Sequence, residues 1–93
     1  MSEPSYERID DAVWRSGPDR VVVRRVGDHR DDATYELHGG AALVWIALDD
    51  AGTRSDIVAR LDDAGAMADV DEAVALLLAR GLIRELQGGG RTP

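Results

Sequence analysis

The sequence predicts an α+β domain in which a three-stranded antiparallel sheet packs on three helices. Three observations lead there. The first half holds short runs separated by turn clusters, the best of them the β-branched Arg20-Val-Val-Val-Arg-Arg-Val26. The second half holds three helical patterns. Between the halves, Tyr35-Glu-Leu-His-Gly-Gly-Ala-Ala-Leu-Val-Trp-Ile-Ala-Leu-Asp49 reads as a strand end, a Gly-Gly break and an apolar helix.

Taken in order, residues 1–10 are polar and read as a loose lead-in, 11–86 as the domain, and 87–93 as a flexible glycine-rich tail. Asp11-Ala-Val-Trp-Arg15 is a short first strand, and Ser16-Gly-Pro-Asp19 is a turn. In the second strand, alternation places Val21, Val23 and Arg25 on one face and Val22, Arg24 and Val26 on the other. Gly27-Asp-His-Arg-Asp-Asp32 is a polar hairpin loop. The third strand, Ala33-Thr-Tyr-Glu-Leu37, turns Ala33, Tyr35 and Leu37 to the core, and Thr34 and Glu36 away.

Helix one follows Gly39-Gly40. Ala42, Trp45 and Ile46 fall at helical spacing, with Leu43, Val44 and Leu48 on the other faces, which predicts a helix buried all round. Helix two starts at Thr53, an N-cap with Asp56 at the capping-box position. Its inward stripe is Ile57, Val58 and Leu61, and Arg54 and Arg60 are expected in solvent. Residues 62–67 read as a loop. Helix three has Asp69 as N-cap and Val70, Val74, Leu77 and Leu78 as core stripe. It closes at Gly81, a left-handed C′ residue, with Leu82 packing back on Leu77.

Composition excludes several classes. The chain has 93 residues, 44% of them hydrophobic, enough for one small core with little room for an enclosed active site. Cysteine is absent, so there is no disulfide framework or thiolate metal site. No run approaches the roughly 18 apolar residues that cross a bilayer, and the N-terminus lacks a signal-peptide core, so the expectation is a cytoplasmic protein with no membrane partner. Net charge is −7, which repels phosphate backbones unless the arginines cluster.

Sites of chemistry are sparse. His29 and His38 are the only histidines and lack a third ligand at metal-binding spacing. Asp28, Asp31 and Asp32 lack the glycine and distal acid of a calcium loop. No nucleophile motif or phosphate loop occurs, so no catalysis, cofactor or metal is expected. Trp45 belongs to the core; Trp14 either caps the sheet or lies partly exposed. Ala73 and Leu76 lie beside the core stripe of helix three and either line a groove or are simply buried.

A strand-rich first half leading into three short helices is winged-helix-like, an outline that suits binding an extended nucleic acid or peptide. Three segments sharpen it: Tyr35-Glu-Leu-His-Gly-Gly-Ala-Ala-Leu-Val-Trp45, Thr53-Arg-Ser-Asp-Ile-Val-Ala-Arg-Leu61 and Val70-Asp-Glu-Ala-Val-Ala-Leu-Leu-Leu-Ala-Arg-Gly-Leu-Ile83. In order and spacing, over roughly residues 11–86, they resemble the PqqD-like family, the RiPP recognition elements, which bind the leader peptide of a ribosomally made precursor. His38 stands where many members have Asn, and the 27–32 loop lacks their acidic-x-x-x-Gly hairpin.

The resemblance implies that a leader peptide adds a strand to the third strand, against helix three. The contact set would be Ala33, Thr34, Tyr35, Glu36 and Leu37 on one side, and Val70, Ala73, Leu76, Leu77 and Arg80 on the other. It further implies a non-catalytic adaptor that presents the precursor to a maturation enzyme of unspecified type. The rival readings are a winged-helix DNA-binding regulator and a structural subunit docking on an enzyme. Against the regulator, Asp69, Asp71 and Glu72 open the helix that would meet DNA.

Overall fold

The computed structural model describes residues 3–26 and 34–86. The expected 27–32 loop, Ala33 and the 87–93 tail lie outside the described residues. The strands are β1 (Ser5–Arg8), β2 (Ala12–Ser16), β3 (Arg20–Arg25) and β4 (Thr34–His38). Then come α1 (Gly39–Ala47), β5 (Gly52–Thr53), α2 (Arg54–Asp63), α3 (Val70–Ala79) and β6 (Ile83–Leu86). The fold is α+β, and the described residues form three helices and two small antiparallel sheets where one was expected, in the orders β2-β3-β4 and β5-β1-β6.

The expected sheet is β2-β3-β4. Its pairings run from Ala12↔Arg25 to Ser16↔Val21, and from Arg20↔His38 to Arg24↔Thr34. Alternation works as read: Val21, Val23 and Leu37 are buried, while Thr34 and Glu36 are exposed. The second sheet is a correction. Ser5–Arg8 lies inside the stretch expected to be loose, yet it pairs with both β5 and β6. The cross-strand pair Glu7↔Arg84 is also an ion pair, and Arg84 reaches Asp10 at 3.2 Å.

One core joins the layers. Val21, Val23 and Leu37 of the sheet meet Trp45 and Leu48 at α1, Ile57 of α2 and Leu77 of α3. No charged or polar residue is buried among the described residues. Helix α1 is not buried all round. At about 100° per residue, its inward arc runs through Val44, Leu48, Trp45 and Ala42, and Ile46 falls past the edge, 46% exposed. Val58 likewise sits a residue's turn from Ile57, outside the expected stripe, and is 41% exposed. Trp14 packs edge-on against Trp45, ring centroids 6.1 Å apart, with part of its surface in solvent.

Helices α2 and α3 begin and end as local rules require. Thr53 and Asp56 form a reciprocal capping box, and Asp69 accepts from the Glu72 N–H. At the far end of α3, Gly81 takes φ +70°. Its N–H donates to the Leu78 carbonyl and the Leu82 N–H to the Leu77 carbonyl, both at 3.0 Å, which completes a Schellman motif. The loop expected over 62–67 begins only after Asp63, because α2 continues through Asp62 and Asp63, and Gly65 closes α2 in the same way, with Ala66 N–H donating to the Leu61 carbonyl at 2.8 Å.

Arg60 is the other correction. Instead of standing in solvent, it donates to the carbonyls of Ala47 (2.9 Å), Asp50 (2.7 Å) and Ala51 (3.2 Å), closing the C-terminal end of α1. Arg8 reaches the same end from β1, donating to the Leu48 carbonyl at 2.9 Å.

Candidate functional site

The free edge of the β2-β3-β4 sheet starts from strand geometry. Backbone groups alternate sides along an antiparallel strand. Gly17 N–H donates to the Arg20 carbonyl at 2.7 Å and Val26 N–H to the Asp11 carbonyl at 2.9 Å. In β3, therefore, Arg20, Val22 and Arg24 turn their backbone groups toward β2, and Val21 and Val23 turn theirs toward β4. They face Leu37 and Tyr35 there. This leaves Thr34 and Glu36 with N–H and C=O directed away from the sheet, and no strand pairs with that edge among the described residues.

Arg80, which caps the end of α3, reaches this strand. The Arg80 guanidinium carbon lies 5.4 Å from the centroid of the Tyr35 ring, a cation–π contact that ties the end of α3 to β4. The ten residues named from sequence then divide. Thr34, Glu36 and Arg80 are exposed, and Tyr35 and Leu76 are half-buried. Leu37, Val70, Ala73 and Leu77 are buried in the core, so they form the floor under the site and not a wall a ligand touches. Ala33 lies outside the described residues. Of the α3 candidates, the accessible ones are Leu76 and Arg80, with Ala73 resolved as core.

Two features add to the sequence reading. Glu72 lies one turn before the half-buried Leu76 and two before Arg80 at the C-cap, so an acid, an apolar side chain and a base follow in series along one side of α3 and its end. The i, i+4, i+8 spacing held that signal. Arg25 is less legible. A Cβ on Gly81 would come within 3.3 Å of its Nη1, which places this half-buried guanidinium against the last turn of α3. A cation there suits the partial negative charge of the helix end, and with Arg80 it makes that end of the site basic.

On the outward face of β4, Glu36 Oε1 lies 3.4 Å from Arg20 Nη1 and 3.2 Å from His38 Nε2. Both histidine and carboxylate are thus engaged at the surface. No group of three or more His, Cys, Asp or Glu side chains is arranged to hold a metal among the described residues.

Charge divides by region. Residues 12–26 with 34–38 carry four arginines against Asp19 and Glu36, a net of +2. Residues 39–80 carry three arginines against eight carboxylates, a net of −5. At the start of α3, Asp71 takes a two-pronged bond from Arg54, at 2.6 and 3.2 Å, which holds its carboxyl below the usual range. Glu72 stays exposed. No helix is long and apolar enough to cross a membrane among the described residues.

No family model matches the chain, and no curated protein or solved structure matches it at a significant level.

Proposed function

We propose that this chain is a non-catalytic adaptor: a winged-helix-like, PqqD-like domain that binds the leader segment of a ribosomally made precursor peptide. The leader adds a strand to β4, and the adaptor presents the precursor to a maturation enzyme in the cytoplasm. The observation that carries the reading is the pair of outward backbone groups at Thr34 and Glu36 on the strand whose Tyr35 ring meets Arg80. An open strand edge is an aggregation liability unless covered. An extended peptide covers it, with backbone bonds supplying affinity and Leu76 and Arg80 supplying side-chain selection. Two basic groups, Arg80 and Arg25, favour a leader with an acid at the facing position.

The test is amide shift mapping with the leader of a short precursor encoded beside the chain. The amides of Thr34 and Glu36 shift and gain exchange protection, and Leu76 and Arg80 follow. Leu76→Asp puts a charge in the groove and weakens binding by at least about tenfold, or 1.4 kcal/mol. Thr34→Pro deletes an outward N–H and weakens it as well. Shifts confined to α1, with β4 and α3 silent, overturn the site. Random duplex DNA serves as the control for the regulator reading. The carboxylates at the start of α3 hold its affinity no tighter than about 10⁻⁴ M at physiological salt. Micromolar, steeply salt-dependent binding refutes the adaptor.

A further inference from the structure

A second concave surface lies along α2. It encloses about 450 Å³ between α2 and the segment leading to α3, with Val58 and Ala59 on one side and Ala66, Met67 and Ala68 on the other. Leu61 and Val70 of the core floor it. Two large apolar side chains stand open here: Met67 is 93% exposed and Val58 41%. A flexible, polarisable methionine is suited to accepting an apolar anchor of variable shape.

The charge around the groove is one-sided. Asp62 lines it, and Asp63 is its neighbour; neither carboxylate has a hydrogen bond or ion pair among the described residues. Among the described residues Arg54 is the one cation of the lining, and its guanidinium is committed to Asp71 at 2.6 Å. The groove thus offers an apolar floor and uncompensated negative charge, within a helical region of net −5.

We propose that this groove docks a basic amphipathic segment of a partner protein. An apolar anchor sits against Val58 and Met67, and flanking Lys or Arg side chains reach Asp62 and Asp63. This is helix-in-groove recognition with charge matching at the rim. It does not rest on the leader-peptide reading, because the two sites share only the buried Val70. Where both hold, the adaptor engages leader and partner together, which raises the effective concentration of one near the other.

The chain contains two methionines, Met1 and Met67, so methyl-labelled methionine gives a two-line spectrum in which one line reports the groove. The probe is a synthetic helical peptide with leucines on one face and lysines on the other. Two counterparts carry glutamate or glutamine in place of lysine. The lysine peptide shifts the Met67 methyl and the other two do not. Asp62→Asn combined with Asp63→Asn, both at exposed positions, weakens it by about fivefold, the size of two exposed ion pairs. Val58→Asn weakens it while leaving the reporter in place. Equal binding of the glutamate or glutamine peptide, a silent Met67 methyl, or a shift produced by concentrating the protein alone each overturns the proposal. The last result assigns the groove to a second copy of the chain.

Discussion

Helices α1 and α3 are close in length and both rich in apolar residues, yet they are held by different means. Helix α3 is bounded by its own neighbours in sequence, with Asp69 at its start and Gly81-Leu82 at its end. Helix α1 has no side-chain cap at its N-terminal end, where His38 makes none, and no glycine at its C-terminal end. Its last carbonyls are taken by Arg8, 40 residues away, and by Arg60, from the next helix. Arg8 also lies 4.9 and 5.1 Å from the ring centroids of Trp14 and Trp45. A helix between these bounds exists because of what it buries and what reaches it; α3 carries its boundaries with it.

The largest expected effect tests the burial half of that contrast. Trp45 is fully buried, so Trp45→Ala costs about 3–5 kcal/mol, a large share of a small domain's stability. Urea melts read it directly. A variant that melts like wild type means that α1 is held by its ends alone.

Next comes the end itself. Arg60→Ala removes three bonds to carbonyls and leaves them to water, for a cost of about 2 kcal/mol. Gly52→Ala reports on the same contact, because its Cβ would approach Arg60 Nη1 to 2.9 Å. Matching losses in thermal melts identify the guanidinium as the shared cause. An unaffected Gly52→Ala protein shows that Arg60 has room to move.

The glycine end of α3 is worth less. Gly81→Ala forces a left-handed residue and crowds Arg25, costing about 1–2 kcal/mol. Chemical denaturation of this variant beside Arg60→Ala ranks the two ways of ending a helix. A larger loss at Gly81 reverses the ranking.

The smallest effect is acid dependence, and it belongs to α2. The Thr53 N–H and hydroxyl hold the Asp56 carboxyl below its usual 3.8. A depressed carboxylate contributes stability that is fully present above its unfolded value and lost as pH falls through the folded one. The stability gap between wild type and Asp56→Asn therefore closes below about pH 4. A gap that persists in strong acid shows that the carboxylate contributes nothing as an anion.

The capping box of α2, the Asp69 cap and the Gly81-Leu82 end were legible because each signal lies within a few residues. The valine alternation of β3 and the Leu37 side of β4 were legible for the same reason. β1 was not: Ser5-Tyr-Glu-Arg8 is short and mixed in polarity, and its partners lie about 45 and 80 positions away. Ile46 and Val58 fit the expected apolar stripes, but a helix this short packs on one arc, and only its neighbours choose which.

The candidate site divides along the same line. Sequence alone determined that Thr34 and Glu36 carry outward side chains and that Arg80 ends an apolar helix, since both follow from local period. Tertiary structure decided which backbone groups are open, because that depends on the β2–β3 hairpin register, closed at Gly17 and Arg20. It also decided that Ala73 is core while Leu76 stays accessible, and that Arg60 and Arg8 close α1. Local pattern encodes which way a side chain can point. What it meets there depends on packing between segments far apart in the chain, and that is settled only when they close on one core.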